Sequence, residues 1–539
     1  MPQKIRKKAE ATLDSMRRVF SIPESEDSTL TRIEREISQN LLGFMRNNLI
    51  AGEMEPAQIE KEFTNVSIPE EPMYVHDQAK FLMDKVVSQS VHTASPSFIG
   101  HMTSSVPYFM LSLAKIMIAL NQNTVKIETS KAFTPLESQV IGMLHKLIYN
   151  REDSYYDKWT HNRDHAFGVF CSGGTVANLT GLWTARNLML APRGDFRGVY
   201  EDGLAAGLAE YSYKKLAILV SKRGHYSLKK AADVLGIGRS NLVAIATDAH
   251  NKIDLNILRA KIDELKSEKT GILAIIGIAG TTETGNVDPL NELADIAAHH
   301  RIHFHVDGAW GAPTLFSERH RHLLAGIERA DSVVIDAHKQ LYVPVGAGIC
   351  LFKRETSLDA VETSAQYIVR RGSRDLGKHT LEGSRPGMAM LVHSGLRILG
   401  RKGYELLIDA GIGKTLQFAR MIQSAEDFEL TTEPELNILT YRYVPQDMKA
   451  RLAAATPEER VRLNDLISEL TVNIQKTQRD RGQTFVSRTT FEIASHGNQP
   501  LTVFRVVLAN PLTTRQVLGE VLEEQRSIAR DEMAKIDLA

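Results

Sequence analysis

Two residues near the middle of the chain carry the strongest chemical signal. In DSVVIDAHKQL, residues 331–341, an apolar run of strand character ends and delivers His338 and Lys339 just beyond it. Ligands of open α/β sheets bind outside the carboxyl ends of the strands. A lysine there, its charged form disfavoured by apolar neighbours, can offer a free amine to a carbonyl cofactor. Taken alone, the stretch reads equally well as a surface lysine after a strand. Upstream, HFHVDGAWG brings another apolar run to an end in Asp307, followed by small residues that permit close approach. A carboxylate against a protonated pyridine nitrogen would keep such a ring an electron sink. A strand-end Asp on its own is more often a turn or helix cap, so it is the pairing with Lys339 that points to a cofactor.

FCSGGTVANLTGLWTARN, residues 170–187, runs from a strand-like GVF through Ser-Gly-Gly-Thr into strong helix formers. Its glycines would let backbone N–H groups approach a phosphate, Thr175 adds a hydroxyl, and a helix N-terminus favours an anion. The Walker lysine and the dinucleotide spacing are both missing, which argues against ATP and NAD. A glycine loop by itself is as well read as a plain turn. SKRGHYSLKKAADVLGIG, residues 221–238, begins a helix at His225 and Ser227, where the imidazole could stack on a flat ring. In isolation, a helix-start residue satisfied by the backbone is the better reading. The histidines of HHRIHFHVD (His299, His300, His303 and His305) suggest no metal centre: a strand divides its side chains between two faces, and no carboxylate-rich motif accompanies them.

Such residues need a scaffold. From about Pro96 to Lys353, apolar runs alternate with amphipathic segments: LAILVS, LVAIAT, ILAIIGIAG, HFHVD, SVVID and AGICLF. Runs without polar alternation suit strands covered on both faces, the habit of a mainly parallel sheet between helices. The expected organisation is an N-terminal helical segment at 1–95, a large α/β domain at 96–390 and a small C-terminal α+β domain at 391–539. In the last, NILTYRYV and TVFRVVLA are the strand-like pieces, with a charged helical stretch near 446–480 between them.

Composition narrows the class further. The chain has 539 residues, 65 Lys plus Arg and 65 Asp plus Glu, so no net field draws it to nucleic acid. No apolar run reaches the length of a membrane span, and the basic start, MPQKIRKKAEATLDSMRRVF, lacks the apolar core of a signal peptide. It reads as a solvated or helical arm. Cys171 and Cys350 form no disulfide framework, which fits a cytoplasmic protein.

Taken in order, these motifs resemble the group II PLP-dependent amino acid decarboxylases, with the match running from about residue 90 to 515. The resemblance implies fold type I of the PLP-dependent transferases, pyridoxal 5'-phosphate as cofactor, a small amino acid as substrate and a homodimer with its site at the interface. It also implies that Lys339 carries the cofactor, Asp307 pairs with its ring nitrogen and His225 stacks on the ring. Gly174 and Thr175 match the phosphate-binding turn, Thr282 and Ala309 match positions along the cofactor, and His338 would border its phosphate or substrate side. SPSFIGHMTSS looks like the family's entrance segment, with His101 and Thr103 near the substrate side chain. In TVFRVVLANP, Arg505 falls on the arginine that holds a substrate carboxylate, and a charge in so apolar a run needs an anionic partner.

Some residues depart from the family pattern. Val176 stands where relatives often have Glu, and Asp336 where several have Asn or Ser on the phosphate, so the role of Asp336 is left open. RRGSRDLGKHTLEGSRPG, residues 370–387, has no tyrosine to return a proton; His379 is the candidate substitute. Within the family, DAHKQLYVPVGAG is most similar to the bacterial PLP-type aspartate α-decarboxylases. The expectation is α-decarboxylation of an acidic amino acid, aspartate to β-alanine ahead of glutamate or cysteine sulfinate. A PLP lyase or aminotransferase, or a non-catalytic scaffold of the same fold, are the rivals; intact Lys339, Asp307 and His225 argue against the scaffold.

Overall fold

The structure, a computed structural model, describes residues 29–46, 50–51, 56–103, 105–365 and 372–533. The basic N-terminal arm and the first two residues of the 370–387 stretch lie outside the described residues. Two compact units form. One draws on 1–99, 472–486 and 516–539, the other on 100–471 and 487–515. The first is helical, and in it Phe98 stacks on Phe485 with ring centroids 4.8 Å apart.

The second unit holds a seven-stranded sheet of β1 (Gly168–Cys171), β2 (Lys215–Ser221), β3 (Leu242–Ile245), β4 (Thr270–Ile278), β5 (His303–Asp307), β6 (Ser332–Asp336) and β7 (Gly348–Phe352), in the order β1-β7-β6-β5-β4-β2-β3. This is the expected mainly parallel α/β sheet. Every residue of β4 is buried. Its Ile275 joins an apolar cluster with Leu290 and Leu293 of one flanking helix, while Ile276 joins another with Leu182 and Ala185 of a second. Apolar side chains on both faces are what an unbroken run such as ILAIIGI requires.

Strand direction determines where the site can be. β2 to β6 are mutually parallel, and β7 runs antiparallel to both β6 and β1. β1 therefore points the same way as β2 to β6, and the loops after β1, β2, β4, β5 and β6 all leave from one edge. The motifs of the phosphate turn, His225, Thr282, Asp307 and Lys339 sit on those five loops.

The same unit contains an antiparallel sheet of β8 (Phe428–Leu430), β9 (Ile438–Tyr443), β10 (Ser487–Ile493) and β11 (Gln499–Val507), in the order β10-β11-β9-β8. The charged stretch between β9 and β10 is two helices, Gln446–Ala454 and Pro457–Arg481. Pro457 opens the second, where a missing N–H costs nothing. Among the described residues no helix is long and apolar enough to cross a membrane.

Candidate active site

The loops at the carboxyl edge surround a cavity of about 570 Å3. Its lining brings together His101, Gly174, Thr175, His225, Thr282, Asp307, Ala309, His338, Lys339 and Arg505. Of the residues expected to bind cofactor or substrate, Thr103 is not in the wall; its Oγ1 lies 2.6 Å from His101 Nδ1, so it reaches the cavity through that imidazole.

Lys339 stands one turn past the end of β6, its ammonium 3.6 Å from Asp336 Oδ2 and its backbone N–H on Asp336 O at 3.0 Å. Asp307 closes β5. Its Oδ2 accepts from Asn178 Nδ2 at 3.0 Å and its Oδ1 from Ala309 N at 3.2 Å, so it meets the cavity with both oxygens held by N–H donors. His225, after β2, has Nδ1 2.8 Å from Ser227 Oγ and 3.3 Å from Ser227 N. Burial pulls its imidazole below the ordinary value, Asp307 opposing and Lys339 reinforcing the shift. The neutral ring with its remaining proton on Nε2 is the form this geometry favours.

The helix Gly174–Met189 begins at the cavity. A Cβ at Gly174 would stand 2.9 Å from Asp336 Oδ2, so a larger residue there would push that carboxylate aside. Gly174 N–H now donates to that carboxylate at 3.2 Å. A phosphate that reaches this N–H must displace the Asp336 carboxylate, since two anions would compete for one donor at that range.

Arg505 projects from β11. Its Nε donates to Thr282 O at 2.6 Å and its Nη1 to Gly100 O at 3.2 Å and Ser487 Oγ at 3.3 Å. Burial lowers its guanidinium to about 10, against the pull of Glu283, so it stays cationic at neutral pH. His101 is pushed down by burial and by the cations Arg505 and Lys339.

Whether these residues fit an anionic, carbonyl-bearing cofactor can be tested on the buried polar atoms. Asp336 Oδ1, His338 Nδ1, Arg223 Nε and Arg505 Nη2 all have no hydrogen-bond partner, and all four residues line this cavity. Asp336 Oδ1 and His338 Nδ1 are 2.9 Å apart but not aligned for a hydrogen bond. Each such orphan costs about 1–3 kcal/mol, a cost that a polar ligand among them removes. The set of cationic arginines, a lysine amine, a helix N-terminus and two carboxylates, Asp307 and Asp336, fits a phosphorylated pyridine aldehyde if Asp336 yields the Gly174 N–H to the phosphate.

Among the lining residues that sequence reasoning missed are Arg223 and Asn178. Arg223 is buried, with Nη1 3.2 Å from Glu283 Oε2 and its guanidinium over the Phe491 ring at 4.5 Å; its place two residues before His225 was the available signal. Asn178 looked like an ordinary helix residue. The histidines also need a correction: His303 and His305 lie two apart and so share a face of β5, where both reach Ser332 Oγ at 2.7 Å. His379 is not in this cavity. It is buried in another, beside Lys378 and His165, and burial holds its imidazole down to about 3.

Fold and cavity define an α/β enzyme built to hold a phosphorylated cofactor within reach of a lysine amine. The chain belongs to the pyridoxal-dependent decarboxylases: residues 56–444 match the pyridoxal-dependent decarboxylase conserved domain. It is 57% identical over 523 residues to the aspartate 1-decarboxylase of Aliivibrio fischeri, covering 97% of this chain and 96% of that one. The acidic amino acid decarboxylase GADL1 of Bos taurus is 27% identical over 457 residues, covering 83% and 80%. Among solved structures, mouse CSAD superposes with a TM-score of 0.81 at 23% identity, covering 94% of this chain and 99% of that one, which concerns the fold alone. The cofactor is pyridoxal 5'-phosphate and the enzyme is a carboxy-lyase, as the motif resemblance implied.

Proposed function

We propose that this enzyme removes the α-carboxylate of L-aspartate to give β-alanine. The observation that carries the substrate is the 57% identity, across 97% of the chain, to a protein named aspartate 1-decarboxylase. The geometry supports the same reading. Bound pyridoxal phosphate supplies the electron sink for the pair released as carbon dioxide leaves. Lys339 would supply the amine that carries the cofactor, Asp307 the counter-charge to its ring nitrogen, and His225 a neutral imidazole to pack against the ring. Gly174, Thr175 and the helix N-terminus would receive the phosphate, and Thr282, Ala309 and His338 would line the rest of the cofactor.

Arg505 keeps one guanidinium nitrogen, Nη2, free of partners. We assign it to the α-carboxylate, since the bond that breaks is the one held perpendicular to the ring and a fixed cation sets that rotation. His101, oriented by Thr103, would donate to the side-chain carboxylate. With Thr103 donating to Nδ1, the imidazole proton sits on Nε2. The carboxylate of aspartate is one methylene nearer the α-carbon than that of glutamate. A misplaced hydrogen-bonded group leaves donors unpaired and costs more than the roughly 1–3 kcal/mol of a methylene in an apolar pocket.

Specificity constants should therefore favour aspartate over glutamate by about tenfold or more. His101→Ala should narrow that ratio while changing cofactor affinity by less than about threefold. A higher kcat/KM on glutamate or cysteine sulfinate would overturn the substrate and keep the decarboxylase. The reading extends to a cytoplasmic homodimer, by resemblance; a sedimentation mass of one chain for the loaded enzyme would remove the dimer from it.

A further inference from the structure

Behind Asp307 runs a set of buried hydrogen bonds that none of these roles uses. Its hub is Asn178, 1% exposed, on the helix that opens at the phosphate turn. Nδ2 donates to Asp307 Oδ2 at 3.0 Å and to Ser227 Oγ at 3.4 Å, and Oδ1 lies 2.9 Å from His305 Nε2. His305 Nδ1 in turn lies 2.7 Å from Ser332 Oγ, which is also 2.7 Å from His303 Nε2.

The chemistry of the groups gives every proton in this network a place. An ionised carboxylate only accepts, so the Asn178 NH2 faces Asp307 and its Oδ1 faces His305. His305 must then donate from Nε2, which leaves Nδ1 to accept the Ser332 hydroxyl proton; Ser332 Oγ accepts in its turn from His303 Nε2–H. On the other branch the second Asn178 hydrogen goes to Ser227 Oγ. The Ser227 hydroxyl proton then goes to His225 Nδ1, 2.8 Å away, in agreement with the Ser227 N–H on the same nitrogen.

The scaffold is shaped to keep this arrangement. His305 is fully buried and burial holds its imidazole down to about 3, so no second proton disturbs the direction of the chain. One turn along the helix from Asn178, a Cβ at Gly181 would stand 2.7 Å from His305 Cε1; glycine there admits the imidazole against the helix.

We propose that Asn178 and His305 are positioning residues, which through one amide set both the Asp307 carboxylate and, by way of Ser227, the His225 ring on the two sides of the cofactor. This rests on the roles proposed above for Asp307 and His225. A merely structural pair would leave the bound cofactor's properties unmoved when replaced. A positioning pair would not, since the carboxylate that holds the ring nitrogen loses a donor and its orientation together.

The test compares wild type with Asn178→Ala, His305→Leu and His305→Gln, each purified without cofactor and titrated with pyridoxal phosphate. Three readouts are taken: the dissociation constant, the visible band of the bound cofactor with its pH titration, and kcat and KM for aspartate. Asn178→Ala and His305→Leu should weaken cofactor binding about tenfold, move the pH midpoint of the visible band by about one unit, and lower kcat by roughly 10–100-fold with KM changed less than about threefold. His305→Gln keeps an N–H donor towards Asn178 and should recover most of all three. Should Asn178→Ala not fold, the His305 pair carries the comparison. Variants that fold, with affinity and band unmoved or with Gln no better than Leu, overturn the positioning role. A wild-type protein that binds pyridoxal phosphate without any visible band overturns instead the reading of the cavity as a cofactor site, and with it the roles of Asp307 and His225 on which the proposal rests.

Discussion

Lys339→Ala should reduce turnover to below about a thousandth of wild type while leaving the apo fold and its melting temperature nearly unchanged. The side chain stands at the end of β6 with 17% of its surface exposed, its nearest charge being Asp336 at 3.6 Å. Little packing is lost with it. What is lost is, among the described residues, the one lysine amine lining a cavity whose other walls hold two carboxylates, two arginines and a helix N-terminus. Borohydride should bleach the visible band of the wild-type holoenzyme and leave the reduced cofactor on one peptide, the one containing Lys339. Mass spectrometry that finds it on any other lysine would sink the assignment, whatever the activity of the variant.

That Lys339 and Asp307 could be paired from the sequence follows from the strands that carry them. HFHVD and SVVID coincide with β5 and β6 residue for residue, because unbroken apolar runs in a doubly covered sheet leave no ambiguity about where the strand stops. β10 was not seen. SRTTFEI alternates in burial along an edge of the small sheet, and its polar face masks the strand in a reading tuned to apolar runs. β8 is three residues long and offers no period at all. The pairing of the C-terminal helix with the N-terminal segments in one compact unit is a long-range event with no local signature.

The site was legible where a residue type is rare in its setting, as with an arginine inside TVFRVVLA, and illegible where the setting is ordinary. Asn178 in TVANLTG has the look of a tolerated polar residue on a helix. Only the fold shows that its amide is buried against Asp307 and His305. His303 and His305 were misjudged for a related reason: a strand was taken to divide them between its two faces, whereas residues two apart share a face, and their shared Ser332 decides what they do.

Asp307→Asn is expected to keep measurable pyridoxal phosphate affinity and lose activity by about 10^2–10^4-fold. The carboxylate has an N–H donor on each oxygen, Asn178 Nδ2 on one and Ala309 N on the other. An amide in its place must turn its own NH2 towards one of the two, so whichever way it flips a buried donor faces a donor. The charge is lost as well, and a buried cationic ring left without its partner carries a penalty of about 3–5 kcal/mol, which favours its deprotonation. At 1.4 kcal/mol per factor of ten, that penalty sets the range of the loss. The residues proposed to receive the phosphate lie on another loop, after β1, so binding should suffer less than kcat, and the pH midpoint of the visible band should shift in the variant. Wild-type turnover by Asp307→Asn, with the cofactor bound and its spectrum unchanged, would show that a different residue keeps the ring protonated.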